Sequence, residues 1–449
     1  MFKICKQNDD YVIDNFKHGR FDNIVPSTSN LVDDIILSMQ KIGVLDCLKE
    51  SFCDKRKSNS YIPMELIAIL SVASKMKNNT SLTDIPYAIQ DHRLLSSLGY
   101  NLINKNIEEK GIMSEGSIRF LINKFEGFEF IDLYNDLIQN NIMKKLNITP
   151  NIHILDCTKI TVNINNSNYE NSTIARDHNT LEQFRGYKLA VLRGIVGESG
   201  IVEDIRFGTA KIHDLALSEE MIKTTPCFHH GDLLIMDRGF ISRDTINYLK
   251  KIRGVDTYIP LKKNMEAYDM AVSIAKHENK WIAHPHRKSQ SISFVSNLKD
   301  HWRSSNSRDD VDFNACVVRF DETNSYAVFI SANLSISAKQ IVSTYELRPE
   351  IEEDFRQIKD FWNLEDFKST KENFINFHIV FTLIGYLFFQ LYKLFDKDGE
   401  QYIGKSLPCV LKNYHEKFLG YFVIYYKNYF AILNFEKIIR YGIINLNIK

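Results

Sequence analysis

The stretch from Tyr345 to Lys359 carries a ring hydroxyl, a guanidinium, a carboxylate and an ammonium group at regular spacing. Tyr345, Arg348, Glu352 and Lys359 follow one another at steps of three, four and seven residues, and on one helix such steps keep side chains on one face. A carboxylate binds a hard metal ion, cations bind phosphate oxygens, and an aromatic ring stacks on a base. This face predicts a site that holds a metal ion and a phosphodiester together.

Two alternatives remain for this stretch. Charged residues at three- and four-residue steps are also typical of an ordinary solvated helix face. Pro349 favours the first position of a helix, so Tyr345 and Arg348 can instead lie on the preceding turn. Glu353 is the rival carboxylate if the helix register differs, although the spacing favours Glu352.

Two short apolar runs upstream each end in an aspartate, Asp156 in the first and Asp237 in the second. Continuous apolar runs of this length predict buried strands. The carboxyl end of a buried strand lies at the rim of its sheet, where α/β proteins form their sites. Together with Glu352, the two aspartates predict a three-carboxylate site. Such hard oxygen ligands select magnesium or manganese.

These residues resemble the DDE transposases of bacterial insertion sequences, and in particular the subgroup marked by the motif Y-x2-R-x3-E-x6-K. Tyr345, Arg348, Glu352 and Lys359 fit that motif without a gap. Three further segments are similar to the family's D-R-G-[YF], G-Y-K-L and H-D motifs: Asp237–Phe240, Gly186–Leu189 and His213–Asp214. The resemblance covers roughly residues 150–395 in order.

The resemblance implies an α/β fold: a ribonuclease H-like mixed sheet with helices on both faces. In this family two divalent ions, Mg²⁺ or Mn²⁺, would be bound by Asp156, Asp237 and Glu352. Arg348 and Lys359 would hold phosphates and Tyr345 would orient the terminal nucleotide. Further DNA contacts are assigned, against the alternative of ordinary surface charge, to Arg185, Lys188 and Arg238.

The implied activity is transposition of double-stranded DNA. The protein would bind the terminal inverted repeats of its element, cut there, and join the 3′ ends to target DNA, as a homodimer in the DNA complex. One alternative is a ribonuclease H-like nuclease without strand transfer. Another is a non-catalytic DNA-binding descendant, which the presence of all three carboxylates disfavours.

The predicted organisation has three parts. Residues 1–150 contain capped amphipathic patterns typical of an all-helical DNA-binding domain. Residues 151–395 form the catalytic domain, interrupted at about 263–336 by a β-rich insertion. Residues 396–449 form an aromatic-rich extension of unclear role. Arg119 and Lys124 are candidates for base reading, and Trp281 or Trp302 for stacking on a flipped base, with packing as the commoner role for both tryptophans.

Composition sets the remaining limits. The chain has 449 residues, 44% of them hydrophobic, and 56 basic against 56 acidic side chains. This balance weakly disfavours nucleic-acid binding, although local clusters such as Lys250–Lys251 and Lys262–Lys263 leave room for phosphate contacts. Seven cysteines without a C-x-x-C pair indicate neither a zinc site nor a disulfide framework.

The predicted location is cytoplasmic and nucleoid-associated. The segment Met1–Asp10 is polar and charged, unlike a signal peptide. The most apolar stretch, Phe374–Phe395, has an uninterrupted core that is too short to span a bilayer. We therefore expect a buried helix there and no membrane partner.

Overall fold

Both ends of the chain fold together in the computed structural model, which describes residues 3–52, 54–56, 62–89, 92–100, 102–103, 113–177, 180–304, 308, 310–414 and 417–440. One unit consists of Met1–Leu133 and Ile358–Lys449, and the other of Tyr134–Gln357. The domain limits predicted at residues 150 and 395 stay predictions.

The N-terminal segment is mostly helical. Its helices are α1 (Asp9–Lys17), α2 (Leu31–Lys41), α3 (Val44–Ser51), α4 (Met64–Met76), α5 (His92–Ser97), α6 (Glu115–Ile122) and α7 (Gly127–Asp136). Its strands are β1 (Lys3–Ile4), β2 (Lys6–Gln7), β3 (Asn23–Ser29) and β4 (Leu102–Ile103). The prediction of an all-helical region before residue 150 is therefore wrong, because β3 finds its partner at the far end of the chain and no local pattern reveals that pairing.

The second unit is built on strands. A π-helical segment, Leu137–Ile142, and α8 (Met143–Leu146) lead into it. The strands are β5 (Ile152–Val162), β6 (Thr173–Arg176), β7 (Gln183–Val196), β8 (Ser199–Thr209), β9 (Leu233–Met236), β10 (Asp256–Pro260), β11 (Ile282–Ala283), β12 (Gln290–Val295), β13 (Asn314–Phe320) and β14 (Ser325–Ser331). The helices are α9 (Asp214–Thr224), α10 (Arg243–Tyr248), α11 (Glu266–Glu278), α12 (Ala338–Tyr345) and α13 (Pro349–Trp362), of which α13 crosses the unit boundary.

These ten strands form one mixed sheet in the order β11-β12-β13-β14-β10-β9-β5-β7-β6, with β8 also paired to β7. β5 runs parallel to β9 and antiparallel to β7. A large mixed α/β sheet is the architecture that the sequence predicts. The β-rich segment at 263–336 has the expected strands, but β12, β13 and β14 extend the same sheet through β10 rather than standing apart from it.

The chain then returns to the first unit. It adds the helices α14 (Glu372–Phe395), α15 (Lys397–Glu400), α16 (Leu407–Asn413) and α17 (Phe435–Arg440), and the strands β15 (Lys417–Tyr426) and β16 (Tyr429–Asn434). β15 pairs with β3 and β16, and β16 pairs with β2, so a four-stranded sheet joins residues from both ends of the chain. α14 is long and apolar enough to cross a membrane by length and composition, but its apolar window lies entirely inside the structure.

Candidate active site

Asp156 and Asp237 are neighbours because of strand register. β5 and β9 are adjacent parallel strands in which Leu155 pairs with Met236. The next residue after each of these is an aspartate, so Asp156 and Asp237 are neighbours. β9 ends just before Asp237, but β5 continues past Asp156 to Val162, so the prediction that this strand ends at Asp156 is wrong. Asp156 is buried and its Oδ1 accepts from the Cys157 N–H at 2.8 Å. Asp237 begins a short 3₁₀ turn, where its Oδ1 accepts from the Gly239 N–H at 3.3 Å.

The helical segment that carries the third carboxylate is broken in two. Ser337 and Gln340 form a capping box that starts α12, which ends at Tyr345. The Arg348 N–H donates to the Tyr345 carbonyl at 3.0 Å, and α13 begins at Pro349. The sequence left two arrangements open, and the structure has Tyr345 and Arg348 before the proline-initiated helix rather than on it.

One guanidinium joins all three carboxylates. Arg348 Nη2 donates to Asp156 Oδ2 at 2.8 Å and to Asp237 Oδ2 at 3.1 Å. Its Nη1 donates to Glu352 Oε1, one helical turn further along the chain. The carboxylates from β5, from the turn after β9 and from α13 therefore meet around a single positive charge.

The electrostatics of this cluster follow from burial and crowding. Burial raises the pKa of Asp156 to about 6, with Asp237 and Glu352 adding to the rise and Arg348 opposing it. Burial alone would lower the pKa of Arg348, but Asp156 and Asp237 outweigh it and raise the pKa above its ordinary value. Three anions share one cation here, so the cluster has a net negative charge that favours a further cation.

The sequence matches the family model for the transposase DDE domain over residues 148–388, more than half of the chain and a range that includes all three carboxylates. The chain belongs to the transposase DDE domain family. A search of curated proteins found no match. The assignment to the subgroup with the Y-x2-R-x3-E-x6-K motif stays a prediction.

DDE transposases generally use divalent metal ions, and the carboxylates of this DDE domain fit such ions by their chemistry. All three are hard oxygen donors of the kind that Mg²⁺ and Mn²⁺ prefer, and all three already converge on a cation. Within the described ranges, however, no group of three or more His, Cys, Asp or Glu side chains is arranged as a metal cluster. Asp156, Asp237 and Glu352 are the residues that would hold the ion.

Arg193 is a residue of the DDE domain that the sequence reasoning missed. It lies on β7 and is buried, and its Nε donates to Asp354 Oδ2 at 2.6 Å. Its Nη1 lies 2.8 Å from Glu350 Oε2. Glu350 and Asp354 flank Glu352 on α13, so this arginine fastens the helix to the sheet. An arginine within the apolar run Leu189–Val196 of β7 was the available signal.

The neighbouring carboxylate Glu353 points elsewhere. It accepts hydrogen bonds from Arg356 and Gln357, both on the same helix. Glu352 bonds to Arg348. The structure thus brings Glu352, and not its rival, together with the two aspartates.

Three of the other predicted DNA-binding residues contact groups outside the Arg348 cluster, and the fourth, Arg238, is its neighbour in sequence. Lys188 donates to the Ile212 carbonyl at 2.8 Å and to Asp214 Oδ1 at 2.5 Å. Arg185 donates to the Ile164 carbonyl at 3.0 Å and to Ser172 Oγ at 3.3 Å. Arg238 is exposed directly after Asp237. Lys359 belongs to the first unit, where its Nζ lies 3.3 Å from Glu365 Oε1.

Tyr345 does not bond to the carboxylates but lines a cavity beside Arg348. The cavity has a volume of about 140 Å³, and Phe329 and Val342 also line it. The Tyr345 ring lies 4.6 Å from the Phe329 ring, centroid to centroid. The cavity gives Tyr345 and Arg348 a common apolar space.

The two predicted stacking tryptophans are packed against other side chains. The Trp281 ring has the Arg319 guanidinium 4.6 Å from its centroid. The Trp302 ring has the Arg243 guanidinium at 5.5 Å. Both contacts fit the packing role.

Proposed function

We propose that the protein is a DNA transposase that binds the terminal inverted repeats of its element, cuts DNA by metal-dependent phosphodiester hydrolysis and joins the 3′ ends to target DNA. The observation that carries this proposal is the meeting of Asp156, Asp237 and Glu352 around Arg348. Three separate elements supply these carboxylates, and family membership independently favours DNA chemistry.

The reaction has two displacements at phosphorus. In the first, a water oxygen forms a bond to phosphorus and the bond from phosphorus to the 3′ oxygen breaks, leaving a 3′ hydroxyl. In the second, that hydroxyl attacks a phosphorus of the target, whose own 3′ oxygen leaves. Divalent ions, two in our proposal, would supply activation of the attacking oxygen and stabilisation of the leaving oxygen. No covalent intermediate with the protein is needed.

The chain's own residues divide this work. Asp156, Asp237 and Glu352 supply the negative charge that holds the ions. Arg348 would exchange its carboxylate partners for non-scissile phosphate oxygens, to which a guanidinium offers two parallel N–H donors. Arg238, which is exposed, would add a second phosphate contact, and Lys359, Arg185 and Lys188 are proposed to contribute further along the DNA. Tyr345 would orient the terminal nucleotide at the cavity that it lines.

A homodimer follows from the proposed reaction, because two element ends must be held together for joining. The proposal also includes action in the cytoplasm on nucleoid DNA. A nuclease without strand transfer would use the same carboxylates, so cleavage alone does not distinguish the two activities.

The test is a cleavage and joining assay with Mg²⁺ on DNA that carries the element's end sequence. We expect wild type to nick and join. Asp156→Asn, Asp237→Asn and Glu352→Gln should each lower the rate by about 100-fold or more, because each removes a group that acts on transition-state charge.

Glu353→Gln is the matched control, since it changes the adjacent carboxylate on the same helix and leaves the Arg348 cluster intact. It should cut and join at nearly the wild-type rate. If Glu352→Gln still cleaved DNA and Glu353→Gln did not, the third carboxylate would be Glu353 and not Glu352. Metal-dependent cleavage without joined products would favour a nuclease, and binding of the ends without cleavage would favour a DNA-binding descendant.

A further inference from the structure

The first unit contains a polar cavity that no part of the proposed reaction uses. Its volume is about 300 Å³, and it lies among the end of α4, the loop after it, α6, and the segment that leads into α14. The polar side chains that line it include three cations and several hydroxyls, among them Lys75, Arg119, Lys368, Thr80, Ser81 and Ser369.

Lys75 is the unusual member of this lining, because only 2% of it is exposed. Its Nζ lies 3.0 Å from His378 Nδ1 and 3.4 Å from the Asn79 carbonyl. His378 Nε2 lies 2.9 Å from the Asn363 carbonyl, which only accepts, so Nε2 carries the proton and Nδ1 accepts from Lys75. A neutral histidine therefore fixes the amine at the cavity wall.

The direct partners of Lys75 are thus neutral. Among the described residues, no carboxylate lies within ion-pair distance of its Nζ. Asp366 is bonded instead to Thr80 and Lys368. Burial lowers the pKa of Lys75 to about 7, although Asp366 and Asp84 act to raise it from a distance. A buried ammonium without a counter-ion is unfavourable, and an anion in the cavity would relieve this.

The rest of the cavity suits an anion attached to a larger group. Arg119 and Lys368 lie at the exposed rim, where Arg119 also bonds to Glu115. The hydroxyls offer donors, and Phe367, Phe374 and Phe377 form an apolar wall. A cavity of this size exceeds what a single small anion fills and is comparable with ordinary ligand pockets.

We propose that this cavity binds a phosphate group of a DNA strand, with Lys75 as its buried counter-ion and Arg119 and Lys368 at the rim. The phenylalanine wall would accept the sugar or base attached to that phosphate. The choice of DNA as the source of the phosphate rests on the proposed function; the affinity for phosphate does not.

The first experiment uses inorganic phosphate and the full-length protein. Thermal unfolding and titration calorimetry are measured with phosphate, and with sodium chloride at the same ionic strength as the reference. We expect a phosphate-dependent rise in Tm for wild type. Lys75→Met should abolish it, and Arg119→Gln should weaken phosphate binding about tenfold, as expected for loss of a charge-assisted hydrogen bond.

Lys77→Gln is the matched control, because Lys77 is exposed, follows Lys75 by two residues and does not line the cavity. It should bind phosphate as wild type does. If Lys75→Met does not fold, Arg119→Gln and Lys368→Gln still test the proposal at the rim. A Tm that phosphate does not change in wild type, together with a more stable Lys75→Met, would overturn the proposal by showing that Lys75 is only a buried charge.

The second arm identifies the source of the phosphate. A short single-stranded oligonucleotide with a 5′ phosphate is compared with the same strand without it, for wild type, Arg119→Gln and Glu352→Gln. DNA binding at this cavity is supported if Arg119→Gln binds the oligonucleotide more weakly than wild type and Glu352→Gln does not. Phosphate binding with no effect of Arg119→Gln on the oligonucleotide would overturn the DNA assignment. The cleavage assay decides the proposed function separately, since the cavity variants leave the three carboxylates untouched.

Discussion

Arg348 has a role in this structure that its spacing did not predict. The motif suggested an arginine that holds DNA phosphate, whereas the guanidinium here bonds to all three carboxylates. The same donors fit both partners, because phosphate and carboxylate present similar paired oxygens. In the DNA-free protein Arg348 therefore acts as the counter-ion that keeps three carboxylates together.

Replacing Arg348 with glutamine should reveal this role without any DNA. We expect Arg348→Gln to lower the free energy of unfolding of the metal-free protein by about 2–4 kcal/mol, because the buried carboxylate of Asp156 loses the guanidinium that pairs with it. Mg²⁺ should then raise the Tm of the variant more than that of wild type, since the ion no longer competes with a guanidinium. Thermal unfolding with Mg²⁺ or with a chelator measures both effects.

Arg356→Gln is the control for this experiment, as it removes an exposed arginine of α13 that bonds to Glu353. Its response to Mg²⁺ should equal that of wild type. Equal responses to Mg²⁺ in wild type and Arg348→Gln would show that the guanidinium does not compete for the carboxylates.

At the scale of elements, the position of Glu352 depends on how α13 is held. Arg193 on β7 contacts Glu350 and Asp354 of this helix. Its guanidinium has room only because residue 200 on the neighbouring strand β8 is glycine. A Cβ there would lie 2.2 Å from Arg193 Cζ. The strands β7 and β8 and the helix α13 are thus linked through the Arg193 side chain, and this link supports the position of Glu352.

Gly200→Ala should therefore impair the site from a distance. We expect the methyl group to displace the Arg193 side chain, to loosen α13 and to lower the cleavage rate about tenfold. An error of about 1 Å in a catalytic group is enough for a loss of this order or more. Rates are measured for Gly200→Ala, Arg193→Met and the double variant.

The double variant supplies the decisive comparison. If both changes act through the same contact, the double variant should be no slower than Arg193→Met alone. Rates that multiply would instead mean that Gly200 affects the site by another route.

Sequence patterns predicted these elements unevenly. The strands that lead to Asp156 and Asp237 were predicted because continuous apolar runs are a local signal, although β5 continues past Asp156 to Val162. The link from Arg193 to α13 was not predicted, since it joins residues that only the folded sheet brings together. The same limit applies to β3, whose pairing with β15 has no counterpart in the local sequence.

At the scale of the whole molecule, the predicted C-terminal extension is part of the first unit's core. Ile424 and Leu433 from β15 and β16 form a buried cluster with Val12 and Phe16 of α1. The strands that carry them pair with β3 and β2 near the N-terminus. β15 and β16 therefore complete a sheet, which is a structural role that the aromatic composition of this segment did not reveal.

Ending the chain after Phe395 should destabilise the first unit. The truncation would uncover Val12 and Phe16, at about 1.5–3 kcal/mol for each large side chain, and would leave β3 without its partner. We expect a lower Tm and a lower soluble yield. A chain that ends after Arg440 keeps β15, β16 and α17 and should behave as full length. Equal stability of the two truncated chains would contradict a core role for these strands.

The pairing of β3 with β15 can form only late in the synthesis of the chain. Val25 pairs with Val423, so the ribosome must add almost the whole chain before the earlier strand meets its partner. At 5–20 residues per second this delay is roughly 20–80 s. The strands β5–β14 of the ten-stranded sheet leave the ribosome within that interval and can pair while β3 still has an unpaired edge. The nascent N-terminal segment is therefore the part of this protein that most needs a chaperone.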